Sequence, residues 1–365
     1  MLIETETLAR SGVEPTGPRV LVVNRQERDP DKRASEDRRF SSLAAALSSG
    51  GLAVERATPS GMGELREAMR EFSPHLVFAS FFRFPEQAEG EGYLEGAAID
   101  RGAAWIGSPS GIMELALSKP RLKSLWRSYG IPTPDWLIVR SLPEGSVEGL
   151  EELASLRDFP YIVKPAREGN SRGIDDRSVA RAPDQLRARA EEVVRDYCEA
   201  LVERFVSGGR DSREFTVAMI GNGKNSIVSP IEIVKTRPSS SVITEDDKER
   251  QTTRLLPVGD DALRGKIECV ARRVFLASGA RDYARCDILL HEGRLYAIEM
   301  NGQPMVPDRW FEACSREAGL DGVQYINAIA LAGMADGART GRARLSIPPK
   351  MRKMLPEAIV ERLAS

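Results

Sequence analysis

Hydrophobic positions are distributed differently in the two parts of the chain. From residue 19 to about 107, short apolar runs, "RVLVVN", "LAVERAT", "HLVFASFF" and "AAWIGS", alternate with helical stretches such as "DRRFSSLAAALSSGG" and "MGELREAMREF". That alternation predicts βα units around a parallel sheet. Beyond residue 117 the order changes. "SKPRLKSLWRSYG" predicts a helix, with Ser118 available as its cap, Pro120 in the first turn and Gly130 at the stop. "IPTPDWLIV" and "FPYIVKPA" then predict strands, "PDQLRARAEEVVRDYCEA" a helix, and "ALVERFV" and "REFTVAMI" strands, which makes a second, α+β unit. A third unit begins after "NGKNSIVSPIEIV" and holds a long polar stretch, a helix over residues 263–278 and a hairpin. The expected divisions are a disordered leader (1–18), a βα domain (19–117), a central subdomain (118–215), a C-terminal subdomain (216–335) and a basic tail with a short terminal helix (336–365). No internal repeat is present.

The hairpin, "RCDILLHEGRLYAIEMNGQP", covers residues 285–304 and carries polar residues where a sheet wants apolar ones. Apolar and β-branched residues flank the turn signal at His291, Glu292, Gly293 and Arg294, so the chain folds back near Gly293. With Gly293 at the centre, Asp287 faces Glu299 and Arg285 faces Asn301, all on one face. The turn-proximal members of that face are Leu289, Leu295 and Ala297. Cys286, Ile288, Leu290, Tyr296, Ile298 and Met300 form the other, core face. Directly opposed carboxylates have Cβ atoms only ~5 Å apart and repel unless a cation lies between them. A hard divalent ion fits that need, and Arg285 beside it suggests a phosphate. A surface ion-pair network would give the same pattern, so both remain open on these residues.

A second chemical signal is "YIVKPAREGNSRGI", residues 161–174. A strand ends at Lys164 and Pro165 and enters a loop in which Gly169 and Gly173 flank Asn170, Ser171 and Arg172. Small residues let backbone N–H groups approach an anion, and the lysine supplies a point charge.

Composition narrows the partners. The 365 residues carry 52 basic and 54 acidic side chains, which gives no reason to expect nucleic-acid or anionic-membrane binding. Four cysteines lack metal-ligand spacing and two histidines leave little for a zinc site or a triad, so reduced thiols are expected. The first residues are too polar for a signal sequence and no apolar run reaches the ~20 residues needed to span a bilayer, which predicts a cytoplasmic protein. "VVNRQERDP", after the first strand, has no glycine, which argues against a dinucleotide fold.

Together the loop and the hairpin resemble those of the ATP-grasp superfamily, and within it the D-alanine:D-alanine ligases, from "GSPSGIMELALSKPRLKSLW" to "EMNGQP". The resemblance implies an α/β, ATP-grasp fold in which an N-terminal parallel-sheet βα domain precedes two α+β subdomains enclosing the nucleotide. It implies ATP and Mg2+ as cofactors. Lys119 and Lys164 match lysines that contact ATP phosphates, and "REGNSRG", with Glu168, Gly169, Asn170 and Ser171, matches the loop that closes over them. Glu203 and Val206 match the segment that reads adenine through backbone groups, and Glu214 the acid that holds the ribose hydroxyls. Lys248 matches a further phosphate lysine, with Lys235 as a rival, and Arg285 a phosphate-facing arginine. Asp287, Glu299 and Asn301 match magnesium ligands. The implied catalytic groups are Arg285, Lys248 and Ser171, with Arg172 and Gly302 at the substrate. The implied activity is that of an ATP-dependent carboxylate-amine ligase working through an acylphosphate on small-molecule carboxylate and amine substrates. A homodimer is among the assemblies it allows. Rival readings are an ATP-grasp kinase and a nucleotide-binding protein without turnover.

The substrate half departs from the family pattern. "VVNRQERDPDKRASED" lacks the family's glycine-rich segment ending in a Glu, although Glu27 or Glu36 could occupy nearby space. Asn170-Ser171 replaces Ser-Ser, Glu249 replaces a Tyr after the lysine, and "GQPMVPDRW" replaces a Ser-bearing segment. D-alanine is therefore not the expected substrate. Arg172, where the family has a small apolar residue, either recognises an additional carboxylate or phosphate or is exposed. Arg309 is expected to be a solvated surface arginine.

Overall fold

The computed structural model describes residues 17–25, 29–84, 92–207, 212–236, 242–339 and 345–364. Nearly all of the expected leader, and Glu27, lie outside them. The first sheet contains β1 (Arg19–Val23), β2 (Ala53–Ala57), β3 (Leu76–Ala79) and β4 (Ala104–Ile106), all parallel in the order β2-β1-β3-β4. Its crossovers are α1 (Pro30–Ser49), α2 (Met62–Phe72) and α3 (Leu94–Asp100). Strand β1 reads as an unbroken apolar run because both its faces are covered. Val20 and Val22 pack with Phe40 and Leu47 of α1, while Leu21 and Val23 pack with Leu65 and Met69 of α2.

Next come α4 (Ser110–Leu117) and α5 (Lys119–Ser128). Ser118 occupies the cap position of α5 but its side chain makes no capping bond. The Lys119 amide instead donates to the Ala166 carbonyl at 3.0 Å, which ties the helix start to the glycine-bearing loop. Leu122 and Trp126 of α5 are buried in the core of the third sheet, with the Trp126 indole donating to Ser278 Oγ at 2.9 Å.

The second sheet is antiparallel, in the order β6-β5-β9-β7-β8: β5 (Trp136–Ser141), β6 (Val147–Glu148), β7 (Tyr161–Pro165), β8 (Val179–Ala180) and β9 (Glu199–Arg204). It carries α6 (Leu150–Leu153) and α7 (Pro183–Tyr197). The third sheet, also antiparallel, runs β12-β11-β10-β13-β14: β10 (Arg213–Ile220), β11 (Ile227–Lys235), β12 (Thr253–Pro257), β13 (Tyr283–His291) and β14 (Arg294–Asn301). All of β10 pairs within this sheet, so a division at 215/216 would cut a strand. The stretch expected to be long and polar contains β12 and α8 (Glu245–Glu249), and α9 (Asp261–Ser278) covers one face.

The C-terminal residues are not a tail. Helix α10 (Arg309–Glu317) packs on the third sheet, and α11 (Gly322–Arg339) runs past residue 335 against β4 and α1. Helices α12 (Pro349–Met354) and α13 (Glu357–Ala364) bury Met351, Leu355, Val360 and Leu363 in the same core as Val20 and Ile106. A parallel sheet needs cover on both faces, and here one face is shared between α1 and helices from the far end of the chain.

The carboxylate hairpin has the expected pairs, Asp287 with Glu299 and Arg285 with Asn301, for a different reason. Its turn is two residues, Glu292 and Gly293, both at positive φ (50° and 74°), with His291 paired to Arg294. That turn is centred half a residue before Gly293. A bulge after Asp287 then inserts one extra residue into β14 and restores the pairing near the carboxylates. The faces of the turn-proximal half are consequently exchanged in β14: Leu295 and Ala297 are in the core, and Ile298 faces the cleft.

Gly333 of α11 lies where an added Cβ would come within 2.7 Å of Ile106 Cγ1. The expected outcome for Gly333→Val is a loss of roughly 1–3 kcal/mol of folding stability from overpacking. Urea unfolding of the variant checks it, and unchanged stability would mean that α11 is not seated this closely on the first sheet.

Candidate active site

The second and third sheets face each other across a cleft of about 820 Å³ that is open to solvent. Lys164 stands next to the end of β7 at one wall, followed by the loop carrying Ser171, and Glu203 and Val206 come from the end of β9 and just beyond it. Glu214 of β10, Asp287 of β13, Glu299 of β14, Lys248 of α8 and Trp310 of α10 come from the other side. Eight of the sequence-predicted residues thus share one space: Lys164, Ser171, Glu203, Val206, Glu214, Lys248, Asp287 and Glu299. Lys119 does not line it, but its ammonium donates to the Glu168 carbonyl and its charge acts on Glu299. Ile162, Ile174, Phe205, Val242, Ile243, Leu289 and Ile298 give the cleft apolar walls.

The loop is tightly wound. Asn170 and Ser171 take left-handed φ values of 55° and 59°, and Arg172 N donates to the Gly169 carbonyl at 3.1 Å. Two adjacent non-glycine residues there store strain, a common property of ligand loops. Gly173, at φ 72°, is required, since a Cβ would meet Pro165 and the Tyr197 ring at 3.0 Å or less. Gly169 has open space around it.

Several predicted residues lie elsewhere. Arg172 is exposed and paired with Glu168 at 3.3 Å, outside the cleft lining. The Gly302 carbonyl accepts from Ser108 Oγ at 2.7 Å, against the first domain, and is also outside the lining. Asn301 is exposed next to the cleft, with Oδ1 accepting from the Gln303 amide at 3.3 Å. Lys235 is absent from the lining although its charge reaches Glu214, whereas Lys248 is in it. Arg309 is not a solvated arginine: its Nη2 donates to the Thr253 carbonyl at 2.8 Å and its Nη1 is buried. Glu36 is paired with Arg39 at 2.6 Å, and Arg39 also touches Met305 Sδ, so this acid sits near the loop that follows the hairpin.

Sequence reasoning missed three residues. Lys123, one helical turn after Lys119, is fully buried and pairs with Glu203 at 2.6 Å. Asp308 caps α10 and lies 3.2 Å from Arg285. Trp310 sits with its ring centroid 5.4 Å from the Arg285 guanidinium and 5.8 Å from Lys248 Nζ. The i,i+4 lysine spacing could have flagged Lys123. No local pattern marks Asp308 or Trp310, which reach the site through the docking of α10.

The electrostatics follow from crowding of charge. Burial raises the Asp287 carboxyl, and the charge of Glu299 opposite adds to this, while Arg285 opposes it. Burial would raise Glu299 too, but Lys119, Lys248, Lys164 and Arg285 outweigh it and hold that carboxyl down. Glu214 is pushed up to about 7, first by burial and then by the Asp287 charge, against Lys235 and Lys248. Asp287 Oδ1 is buried without a hydrogen-bond donor among the described residues. Opposed carboxylates, one with a buried oxygen that accepts no hydrogen bond and has Arg285 Nε 3.9 Å away, and the side-chain amide of Asn301 two pairs further along, fit a hard cation with oxygen ligands.

The Glu214 shift sets a pH dependence. Its folded value lies above the ordinary 4.5, so the ionised form opposes folding; this penalty is absent below pH 4.5, grows up to pH 7 and is complete above it. Without nucleotide or metal, Glu214→Gln is therefore expected to be more stable than the parent by roughly 3 kcal/mol at pH 8 and equal to it near pH 4. Paired denaturant titrations at the two pH values test this, and parallel curves at both would contradict it.

A family model described as "D-ala D-ala ligase C-terminus" matches residues 125–330. The chain is 32% identical over 235 residues to a D-alanine–D-alanine ligase of Chromohalobacter salexigens, covering 63% of this chain and 69% of that one. It is 31% identical over 245 residues to the enzyme of the same name from Syntrophotalea carbinolica, covering 66% and 72%. Among solved structures, the D-alanine–D-alanine ligase of Bacillus anthracis complexed with ATP superposes with a TM-score of 0.69 at 18% identity, over 89% of this chain and all of the other. The VanG D-Ala:D-Ser ligase of Enterococcus faecalis gives 0.64 at 17% identity, over 87% and 99%. On the sheets, the cleft and this matched half of its length, the chain belongs to the D-alanine–D-alanine ligase family, ATP-dependent ligases with the ATP-grasp fold.

Proposed function

We propose that this ligase joins two amino acids, or an amino acid and a closely related amine, through an acylphosphate, and that D-alanine with itself is not its preferred pair. The observation that carries the first part is the opposed Asp287–Glu299 pair facing Lys164 and Lys248 within one cleft. A carboxylate oxygen of the first substrate attacks the γ-phosphorus of ATP and ADP leaves. The amine nitrogen of the second then attacks the acyl carbon, inorganic phosphate leaves, and the amine gives up a proton.

Each step builds negative charge on phosphate oxygens, and the fixed positive field of Lys119, Lys164, Lys248 and Arg285 opposes it in a partly desolvated space. Arg285 is oriented for this by Asp308 on one side and the Trp310 ring on the other. Asp287, Glu299 and Asn301 would hold magnesium, which would supply positive charge against the developing charge of the phosphates. Apolar side chains such as Ile162, Phe205 and Leu289 suit the faces of a purine, and Glu214 suits the ribose hydroxyls. The side chain of Glu203 is engaged by two lysines, so the purine edge falls to backbone groups near Val206. Lys248 is favoured over Lys235 as the phosphate lysine by its place in the cleft lining.

The curated relatives are named for D-alanine, which makes small amino acids the class to screen first. Three features support a different preference. The segment after β1 lacks the family's glycine-rich acid, Trp310 stands in the segment where the family has a Ser, and Arg172 is carried on the loop that would close over the substrates. A planar guanidinium favours a second carboxylate over a neutral side chain.

Two outcomes are expected. Glu299→Gln removes half of the opposed pair and should lower magnesium-dependent ADP release by at least ~100-fold with the fold intact; a variant of parental activity would exclude a metal role. In a screen of amino-acid pairs, ADP release should be greatest with an acidic member, and Arg172→Val should move the preference toward neutral pairs. Identical profiles would leave Arg172 as an exposed loop residue, and release without any amine would favour a kinase.

A further inference from the structure

Glu203 holds its carboxylate between two ammonium groups, and the two are secured very differently. Lys123 Nζ lies 2.6 Å from Oε2 and Lys164 Nζ 3.0 Å from Oε1, with none of the three side chains more than 5% exposed. Lys123 is fixed on several sides: its ammonium also donates to Thr133 Oγ1, lies 3.5 Å from the Pro134 carbonyl, and sits 5.5 Å from the centroid of the Trp136 ring. Thr133 in turn donates to the Ala297 carbonyl of β14 at 2.8 Å, and the Ala297 amide donates to Pro132 at 2.8 Å. That anchorage ties Lys123 to the bulged strand and leaves it nowhere to go. Among the described residues Lys164 has no such frame. It lines the cleft, and its ammonium donates to Glu203.

We propose that Lys123 is a resident counter-ion that frees Lys164, keeping Glu203 neutralised when Lys164 turns from the carboxylate to the phosphates of the nucleotide. The inference rests on the proposed ATP site, and Lys123 acts in it as a positioning residue that need not touch the nucleotide. With Lys164 as sole partner, its departure would leave a buried carboxylate uncompensated, a strongly unfavourable state. With both lysines present the group carries one net positive charge, so one ammonium can leave and a complete pair remains. The same logic explains a fully buried lysine beside a phosphate site: its charge is required and its contact with ligand is not.

A double-mutant cycle tests this. The parent, Lys123→Met, Glu203→Gln and the doubly substituted protein are titrated with magnesium ATP by calorimetry, with melting temperatures recorded for all four. Lys123→Met should weaken ATP binding about tenfold or more when Glu203 is present, and less than about threefold in the Glu203→Gln background, where no carboxylate remains to retain Lys164. An equal loss in both backgrounds, or no loss in the first, overturns the proposal. Lys123→Gln keeps the volume and a hydrogen-bond donor but not the charge. It should bind ATP as poorly as Lys123→Met and takes its place if the methionine variant does not fold; parental affinity in Lys123→Gln would overturn the counter-ion role. A parent that binds no ATP defeats the nucleotide site itself, whereas a parent that binds with uncoupled losses defeats this inference alone.

Discussion

Two carboxylates held opposite each other in an antiparallel pair, half-buried in a cleft, require positive charge, and the surroundings of Asp287 and Glu299 are arranged around that requirement. Lys119, Lys164, Lys248 and Arg285 all act on Glu299, and they come from a helix start, a strand end, a short helix and the hairpin itself. None of these elements is near another in sequence, so the cleft exists only when the second and third sheets and α5 are docked. Helix α5 is the joint in this arrangement. Its Leu122 and Trp126 enter the third core, while Lys119 and Lys123 reach the second sheet's loop and strand. The positive charges are themselves restrained by acids, Asp308 for Arg285 and Glu203 for Lys164, so the cleft holds a network of paired charges.

Much of this was legible in the sequence where the signal is local. The βα alternation, the α5 boundaries and the identity of the opposed pairs in the hairpin all follow from periodicity and turn chemistry. The hairpin also shows the limit of such reasoning. Centring the turn on Gly293 gives the right carboxylate pairing, but the true turn is centred half a residue earlier and the bulge compensates. Leu295, Ala297 and Ile298 therefore exchange faces, because an extra residue in one strand leaves no mark on alternation until its partner is known.

The other gaps are non-local. Residues beyond 335 look like a basic tail because their apolar positions are sparse, yet Met351, Leu355 and Val360 fill a core whose other half was laid down at β1. Lys123 looks like one more charge on an amphipathic helix until Glu203, eighty residues away, is brought against it. Asp308 and Trp310 become part of the site only because α10 docks beside Arg285. Each depends on tertiary proximity that neither spacing nor composition encodes.

The closure of the first sheet by α11 and α13 bears on how the chain is made. Once β14 has emerged from the ribosome every described strand of the three sheets is free to pair, yet the β1–β3–β4 surface bearing Val20, Leu76 and Ile106 still lacks the cover that α11 and α13 supply. The domain of the first sheet is thus synthesised before the other two sheets and completed after them, and vectorial folding, domain after domain, does not apply to it. Until α11 and α13 emerge, part of an apolar sheet face stays open to chaperones or to aggregation, so a stop codon before α11 would damage the first sheet, far upstream of the truncation.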